Sequence, residues 1–307
     1  MRIVFMGTPD FALNILKALT ESRHQIVGVV TQPDKRGNRG IMHPPVVKTF
    51  AQEHGLPVKQ YAKIRMEGVQ DLKEMNADIF ITAAYGQLLS KEILDIAPYG
   101  TINVHASVLP AYRGSCPVQR AIMCGDKETG VTIMQTAEGL DTGDILYVKK
   151  TAIMDSDTAD SLMEKLSILG AQALLECLDK LENNEITPVQ QDEAAASYYP
   201  MLEKTDGLID WNKSAEELDH IIRGVTPWPG AYTYRNGKIL KVHKAYPSDE
   251  YSDLPAGSVV RVNKQGITVS CGNGALVLTE LQLEGKKRMT CCDFLNGCRL
   301  TAGEILG

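Results

Sequence analysis

An amide, an imidazole and a carboxylate stand at short intervals in one part of this sequence. Residues 103 to 114 read Asn103-Val-His105-Ala-Ser107-Val-Leu-Pro110-Ala-Tyr-Arg113-Gly114. After a further apolar run comes Glu138-Gly139-Leu140-Asp141-Thr142-Gly143-Asp144. These groups suit chemistry at a carbonyl carbon. An amide can donate to a developing oxyanion, an imidazole can carry a proton, and a carboxylate can hold the imidazole in one orientation. Asn103 and His105 are two apart, so on a strand they face the same side. Polar groups that end an apolar strand fit a cleft at the carboxyl edge of a parallel sheet. Asp141 falls in a turn between two expected strands, and Asp144 reads as a turn residue bonded to its own backbone.

The elements around these residues alternate in the manner of an α/β fold. Residues 2–6 are an apolar, β-branched run that ends at Gly7. Thr8-Pro9 reads as an N-cap and first helical position, with Phe11, Ile15, Leu16 and Leu19 at helical spacing behind it. Gln25 to Thr31 is a second strand, which makes a βαβ opening and implies a parallel sheet. Further strands are expected at 78–84, 100–104, 131–136 and 145–151, with helices at 91–96, 118–123 and 157–181. The glycine after the first strand stands in Gly7-Thr8-Pro9. That lacks the spacing of a dinucleotide or nucleoside triphosphate loop. Residues 33–45 have no hydrophobic period and are rich in Gly, Pro and basic side chains, among them Lys35, Arg36 and Arg39.

A polar, aperiodic stretch from Asn183 to Gly207 separates this part from one of different character. Ser214 reads as an N-cap for a helix within 208–223. Short alternating segments follow, and Asn236-Gly237 is a strong hairpin signal. Several short strands in about 80 residues suggest a small OB-like barrel. The expected organisation is an α/β, Rossmann-like catalytic domain at 1–186, a linker at 187–206 and an OB-like β-barrel domain at 207–307.

Bulk properties narrow the function. The 307 residues are 44% hydrophobic and 23% charged, ordinary for a globular protein. No apolar run is long enough to span a bilayer, and the amino terminus reads as a strand rather than a signal peptide. Seven cysteines, with no C-x-x-C pair and no cysteine–histidine metal spacing, point to reduced thiols in a cytoplasm and to no metal. The net charge of −6 is uneven: residues 206–307 hold 12 basic and 12 acidic side chains, so the acidity lies in the remainder. A locally basic face on the C-terminal part is compatible with overall acidity.

The run from Ser107 to Gly114, with Asn103 and His105 before it and Asp141 after it, resembles the signature of the folate-dependent formyltransferases. Matches continue in order along nearly the whole chain. They include Gly7-Thr-Pro-Asp-Phe11, Thr31-Gln-Pro-Asp34, Ala84-Tyr85-Gly86, Pro117-Val-Gln-Arg120 and Gly130 to Gln135. In the C-terminal part they include Ile209-Asp-Trp211, Pro227-Trp228-Pro229 and Gly285-Lys-Lys287. The basic loop looks shorter than is usual for the family, and Cys116 stands where a smaller residue is common.

The resemblance implies transfer of a formyl group from 10-formyltetrahydrofolate to the α-amino group of methionine on initiator methionyl-tRNA. In that reading Asn103, His105 and Asp141 are catalytic. The folate contacts are Ser107, Val108, Leu109 and Pro110, the loop residues Ala84, Tyr85, Gly86 and Leu88, and Leu140. Lys35, Arg36 and Arg39, together with Lys286, Lys287 and Arg288, meet tRNA phosphates. Sister enzymes that formylate an amino sugar or hydrolyse formyltetrahydrofolate share the Asn-His-Asp core. The basic loop and the second domain favour tRNA. A non-catalytic RNA-binding protein on an inactivated transferase fold is disfavoured by the intact Asn103, His105 and Asp141.

Overall fold

The computed structural model describes residues 1–36, 42–250 and 252–307. The chain divides into two compact units. The first holds Met1–Pro117, Glu128–Ala152 and Met163–Tyr199; the second holds Val118–Lys127, Ile153–Leu162 and Pro200–Gly307. Two short stretches that interrupt the first unit's part of the sequence therefore belong to the second unit.

The first unit is built on seven strands: β1 Arg2–Gly7, β2 Gln25–Thr31, β3 Val58–Gln60, β4 Ile79–Ala83, β5 Thr101–His105, β6 Glu128–Gln135 and β7 Ile145–Ala152. Their order across the sheet is β7-β6-β5-β4-β1-β2-β3. The five from β3 to β5 run parallel. β6 is antiparallel to both β5 and β7. In β1, Ile3, Val4, Phe5 and Met6 have no exposed surface. A central parallel strand covered on both faces requires such an uninterrupted apolar run. Strand order reverses between β1 and β4, and a crevice at the carboxyl ends of such strands is where α/β folds bind ligands.

The local chemistry of β1 explains its single glycine. A Cβ at Gly7 would lie 2.5 Å from the Ala12 Cβ and 3.0 Å from the Ala83 carbonyl oxygen. The helix Asp10–Thr20 thus packs against the strand end with no room for a side chain. The helix starts one residue later than the Thr-Pro pattern suggests. Pro9 is its N-cap, with its carbonyl accepting from Ala12 N and Leu13 N. The Thr8 hydroxyl turns instead to the Tyr85 carbonyl, 3.3 Å away. The stretch before β4 also holds helices Val46–Glu53, Ile64–Glu67 and Val69–Glu74, which the hydrophobic pattern did not announce.

The second unit carries an antiparallel sheet in the order Ala231–Arg235, Lys238–Ser248, Ala275–Leu283, Ile267–Ser270, Val259–Val262, with Met289–Thr290 paired to Ala275–Leu283. Asn236 (φ 49°) and Gly237 (φ 72°) turn the first hairpin, as the left-handed region demands. The 11-residue strand Lys238–Ser248 shifts register on both sides of Lys244, which bends it. The Val259 N–H donates to the Glu304 carbonyl and the Gly307 N–H to the Tyr234 carbonyl. The final residues thereby bridge the two edge strands and curl the sheet toward a barrel. Ser214 caps helix Ala215–Gly224 in a reciprocal box with Glu217. Leu218 and Ile222 of that helix join Leu240, Val242, Leu278 and Leu281 in one buried cluster.

Gly7→Ala tests the tightness of the β1 exit. Overpacking at this contact should cost about 1–3 kcal/mol. Urea unfolding should show a lower midpoint with an unchanged slope; a midpoint equal to the parent's would mean that the strand and helix have slack there.

Candidate active site

β5 carries Asn103 and His105 to the carboxyl edge of the sheet. Val104 between them packs toward the helix Ala159–Glu182: a Cβ at Gly170 would sit 3.1 Å from its methyl group. Asn103 and His105 therefore share the opposite face. The Thr82 hydroxyl on neighbouring β4 approaches Asn103 Oδ1 at 2.8 Å. With that oxygen engaged, the donor end of the amide is the half left for a ligand.

His105 is nearly buried, and both ring nitrogens face acceptors. Nε2 lies 3.1 Å from the Tyr112 carbonyl, and Nδ1 lies 3.7 Å from Asp141 Oδ2. A carbonyl and a carboxylate only accept, so both ring nitrogens face acceptors and neither faces a donor. The 3.7 Å gap is too long for a direct hydrogen bond. A proton passing between ring and carboxylate needs an intervening group, such as a water or a substrate amine.

Asp141 sits in the left-handed region at φ 53°. Its Oδ2 accepts from the Gly114 N–H at 2.8 Å. Gly114 adopts φ 108°, and a Cβ there would meet the Tyr199 carbonyl oxygen at 2.3 Å, so this close approach admits only glycine. Gly143 is equally constrained, since a Cβ would fall 1.7 Å from the Gln135 carbonyl oxygen. The glycines of the two motifs thus serve backbone packing around the carboxylate.

The stretch expected to be a plain linker has a structural role that its polarity concealed. Tyr198–Tyr199 pairs with Arg113–Gly114, and Val189 bridges Ile145. Arg113 has no exposed surface. Its Nε and Nη2 donate to Gln191 Oε1 at 3.0 and 2.8 Å, and Nη1 and Nη2 donate to the two Glu193 oxygens at 2.9 and 2.7 Å. Nη1 also contacts the Tyr198 hydroxyl. The guanidinium holds the Glu193 carboxyl below the usual glutamate range. Gln191 was not singled out from the sequence, because no motif marks it and its partners lie far away in the chain.

The loop from Ser107 to Pro110 is held from inside. The Thr132 hydroxyl on β6 donates to the Ser107 carbonyl at 2.7 Å and accepts from the Leu109 N–H at 3.0 Å. The Ser107 hydroxyl is buried and donates to the Ala111 carbonyl at 2.7 Å. Leu109 is buried as well, and Val108 is half-buried. The hydroxyl of Ser107 is therefore committed to the loop, and a ligand would meet this segment mainly through its backbone.

A second loop leaves β4. Ala84 (φ 46°) and Gly86 (φ 82°) turn it. The Tyr85 carbonyl accepts from Gln32 Nε2 at 3.0 Å as well as from Thr8. Gln87 Nε2 donates to the Tyr61 carbonyl at 2.9 Å, and its Oε1 accepts from the Ile64 N–H at 2.8 Å. Sequence reasoning missed Gln32 and Gln87, which tie this loop to its neighbours. The Tyr85 ring is buried, burial pushes its hydroxyl pKa up, and among the described residues the hydroxyl oxygen has no hydrogen-bond partner. Leu88 is 70% exposed and Leu140 54% exposed. Exposed apolar side chains on loops at strand ends, beside hydrogen-bonding backbone, suit a flat heterocycle with polar edges.

Lys35, Arg36, Lys286, Lys287 and Arg288 lie on exposed positions. Lys35–Arg36 pairs antiparallel with Met42–His43, so part of the basic loop is the base of a hairpin. Arg39 lies outside the described residues. Lys286 and Lys287 are exposed. Arg288 differs, because its Nε and Nη2 form a two-point pair with Glu280 at 2.6 and 2.8 Å. Among the described residues no helix is long and apolar enough to cross a membrane. None of the seven cysteines forms a disulfide.

Comparison with known proteins covers both units. The sequence model of the family described as formyl transferase matches residues 1–178, and that described as formyl transferase, C-terminal domain, matches residues 201–299. A methionyl-tRNA formyltransferase from Citrifermentans bemidjiense is 47% identical over 309 residues, covering 100% of this chain and 96% of the relative. One from Lachnospira eligens is 48% identical over 315 residues, covering 100% of both. Among solved structures, the N-formyltransferase from Helicobacter canadensis, in complex with folinic acid and dTDP-3-aminofucose, superposes with a TM-score of 0.69. It is 17% identical and covers 94% of this chain and 99% of its own. HypX from Aquifex aeolicus, in complex with tetrahydrofolic acid, gives 0.66 at 19% identity over 96% of this chain. This chain spans 47% of the length of HypX. At these identities the two structures show a common fold.

Thr132→Val should leave a buried N–H and a buried carbonyl without their hydroxyl partner. The expected cost is about 1–3 kcal/mol in urea unfolding, and Thr132→Ser should recover most of it. Equal stability of the valine and serine variants would remove Thr132 as the support of this loop.

Proposed function

Because this chain belongs to the formyl transferase family, we propose that it transfers the formyl group of 10-formyltetrahydrofolate to the α-amino group of methionine on initiator methionyl-tRNA, the formylation that serves translation initiation. The observation that carries the substrate is likeness over the whole chain. Relatives aligned from end to end at 47% and 48% identity are named methionyl-tRNA formyltransferase. The folate is the source of the formyl group and is itself a substrate. The Ala84 to Leu88 loop, the backbone of Ser107 to Pro110 and the Leu140 side chain are the groups that hold it. Their support is the open backbone at Ala84 and Gly86 and the uncovered apolar surface of Leu88 and Leu140.

Asn103, His105 and Asp141 carry the chemistry. Negative charge grows on the formyl oxygen as the amine attacks, and the Asn103 amide, with its own oxygen held by Thr82, donates to it. His105, its Nε2 held at the Tyr112 carbonyl, presents Nδ1 at the same edge as the second group that can donate to that oxygen. The Asp141 carboxylate, 3.7 Å from the ring, takes up the amine's proton through the gap between them. The tetrahedral intermediate then collapses by breaking the formyl carbon–N10 bond, the folate nitrogen leaving with that proton. Direct transfer of this kind needs no nucleophilic side chain. Lys35, Arg36 and Arg39, and Lys286 and Lys287, attract the phosphates of the acceptor end. Arg288 contributes less, because Glu280 already neutralises it. We place the protein in the cytoplasm, where its seven free cysteines fit a reducing compartment, and read it as a monomer.

Formation of formylmethionyl-tRNA from charged initiator tRNA, with an amino sugar offered as competing acceptor, tests the function directly. Preference for the sugar would overturn the reading. His105→Ala should lower turnover by at least about a hundredfold while leaving folding intact. Near-parental turnover at saturating substrates would remove His105 from the mechanism. Each lysine that neutralises a tRNA phosphate steepens the fall of log affinity with log salt by about 0.7–0.9. The double variant Lys286→Ala/Lys287→Ala should therefore show a shallower salt slope than the parent. A slope identical to the parent's would exclude these lysines from the tRNA interface.

A further inference from the structure

The turn that carries Asp141 is gripped from a segment that belongs to none of the sequence motifs. Gln191 is 6% exposed. Its Nε2 donates to two backbone carbonyls of that turn, Asp141 at 2.8 Å and Gly143 at 2.7 Å. Its Oε1 accepts two hydrogens from the buried Arg113 guanidinium, at 3.0 and 2.8 Å. A primary amide has two N–H donors and an oxygen with two lone pairs, so every hydrogen-bonding position of Gln191 is used. The amide can lie only one way round. A guanidinium offers no acceptor and peptide carbonyls offer no donor.

We propose that Gln191 is a positioning residue for the transfer reaction: its amide fixes the Asp141–Gly143 turn and so sets the Asp141 carboxylate opposite His105. The inference rests on the reading that Asp141 takes part in the proton transfer. The two bonds bracket Thr142, so the turn cannot slide along the chain without breaking one of them. On its other side the turn abuts Gln135, whose carbonyl oxygen leaves no room for a Cβ at Gly143. Gln135 N also donates to the Asp144 carbonyl at 2.9 Å. The carboxylate is held as well by the Gly114 N–H, and Gly114 directly follows Arg113. Arg113 and Gln191 therefore fix both ends of the Asp141 geometry, the backbone through the amide and the side chain through the neighbouring N–H. A residue in the left-handed region, as Asp141 is, stays there only where its surroundings determine it.

Gln191→Glu separates this role from a purely structural one. One carboxylate oxygen can keep both bonds to Arg113, so the buried guanidinium retains a partner. The other oxygen would face two carbonyl oxygens and repel the turn. The experiment is a double-mutant cycle with Asp141→Asn, reading kcat and KM separately for formylmethionyl-tRNA formation, with a thermal melt of each chain. In the parent background Gln191→Glu should lower kcat by at least about tenfold, the scale on which small misplacements act. In the Asp141→Asn background the same change should alter kcat by less than about twofold, because a group that acts through Asp141 has nothing left to position. An equal fall in both backgrounds, or none in the parent, would overturn the proposal. A near-parental kcat for Asp141→Asn alone would instead remove Asp141 from the mechanism, a separate failure. Gln191→Met, similar in length and without hydrogen-bonding groups, reads the same cycle if the glutamate chain does not fold. A folded Gln191→Met chain with parental kcat would also overturn the proposal.

Discussion

A guanidinium with no exposed surface must find acceptors for its N–H groups within the protein, and in this chain that requirement organises the candidate site. Arg113 cannot shed its proton and cannot reach water. Its acceptors come from Gln191, Glu193 and Tyr198, some eighty residues further along the sequence. Meeting that demand draws residues 189–199 back onto the first unit and zips Tyr198–Tyr199 against Arg113–Gly114. The same bonds leave the Gln191 amide facing the Asp141 turn. One buried charge thus couples three segments that are distant in sequence, and the coupling ends at the carboxylate opposite His105.

The sheet supplies the other half of the geometry. β4 and β5 are neighbours and parallel, so their carboxyl ends lie side by side. Thr82 on one strand can therefore orient Asn103 on the other. β6 returns antiparallel beside β5 and places Thr132 under the Ser107–Pro110 loop. Apart from the buried Tyr85 hydroxyl, the polar side chains described at this edge are either presented to the cleft or consumed in holding a loop. Ser107, Thr132, Gln32 and Gln87 are consumed. Asn103, His105 and Asp141 keep hydrogen-bonding capacity at the cleft. The distinction lies in hydrogen-bond accounting and not in residue type, since a serine hydroxyl and an asparagine amide look equally available in a sequence.

That accounting explains what could be read without coordinates. Asn103 and His105 were legible because a two-residue period on an apolar strand fixes their common face. Asp141 was legible through its motif, but its left-handed conformation and its bond to Gly114 were not. Gln191 was illegible: it sits in a polar stretch without period, and its meaning depends on a partner 78 residues away. Helix Val46–Glu53 was missed because only Val47 and Ala51 of its eight residues are buried, too few to set up a visible stripe. Thr8 was read as a helix cap because Thr-Pro fits one. The tertiary structure gave its hydroxyl to the Tyr85 carbonyl instead, where it ties the first strand's exit to the loop leaving β4. The hairpin at Asn236-Gly237 and the cap at Ser214 came through intact, since both are decided within about four residues.

Charge follows the same logic on the surface. Residues 206–307 balance 12 basic against 12 acidic side chains, which says little about phosphate binding. What governs attraction to a polyanion is which cations are already neutralised at short range. Glu280 takes Arg288 at 2.6 Å and Lys244 at 3.6 Å, Glu304 takes Arg235, and Asp219 takes Arg223. These pairs contribute little field beyond their own dimensions, because a matched pair decays faster with distance than a lone charge and is screened within about 8 Å at physiological salt. Lys286 and Lys287 stand exposed on the turn beside the neutralised Arg288. The run of three basic residues that looks uniform in sequence is thus two exposed lysine charges and one arginine neutralised at short range by Glu280. The net-neutral stretch 206–307 can for that reason present a locally cationic turn.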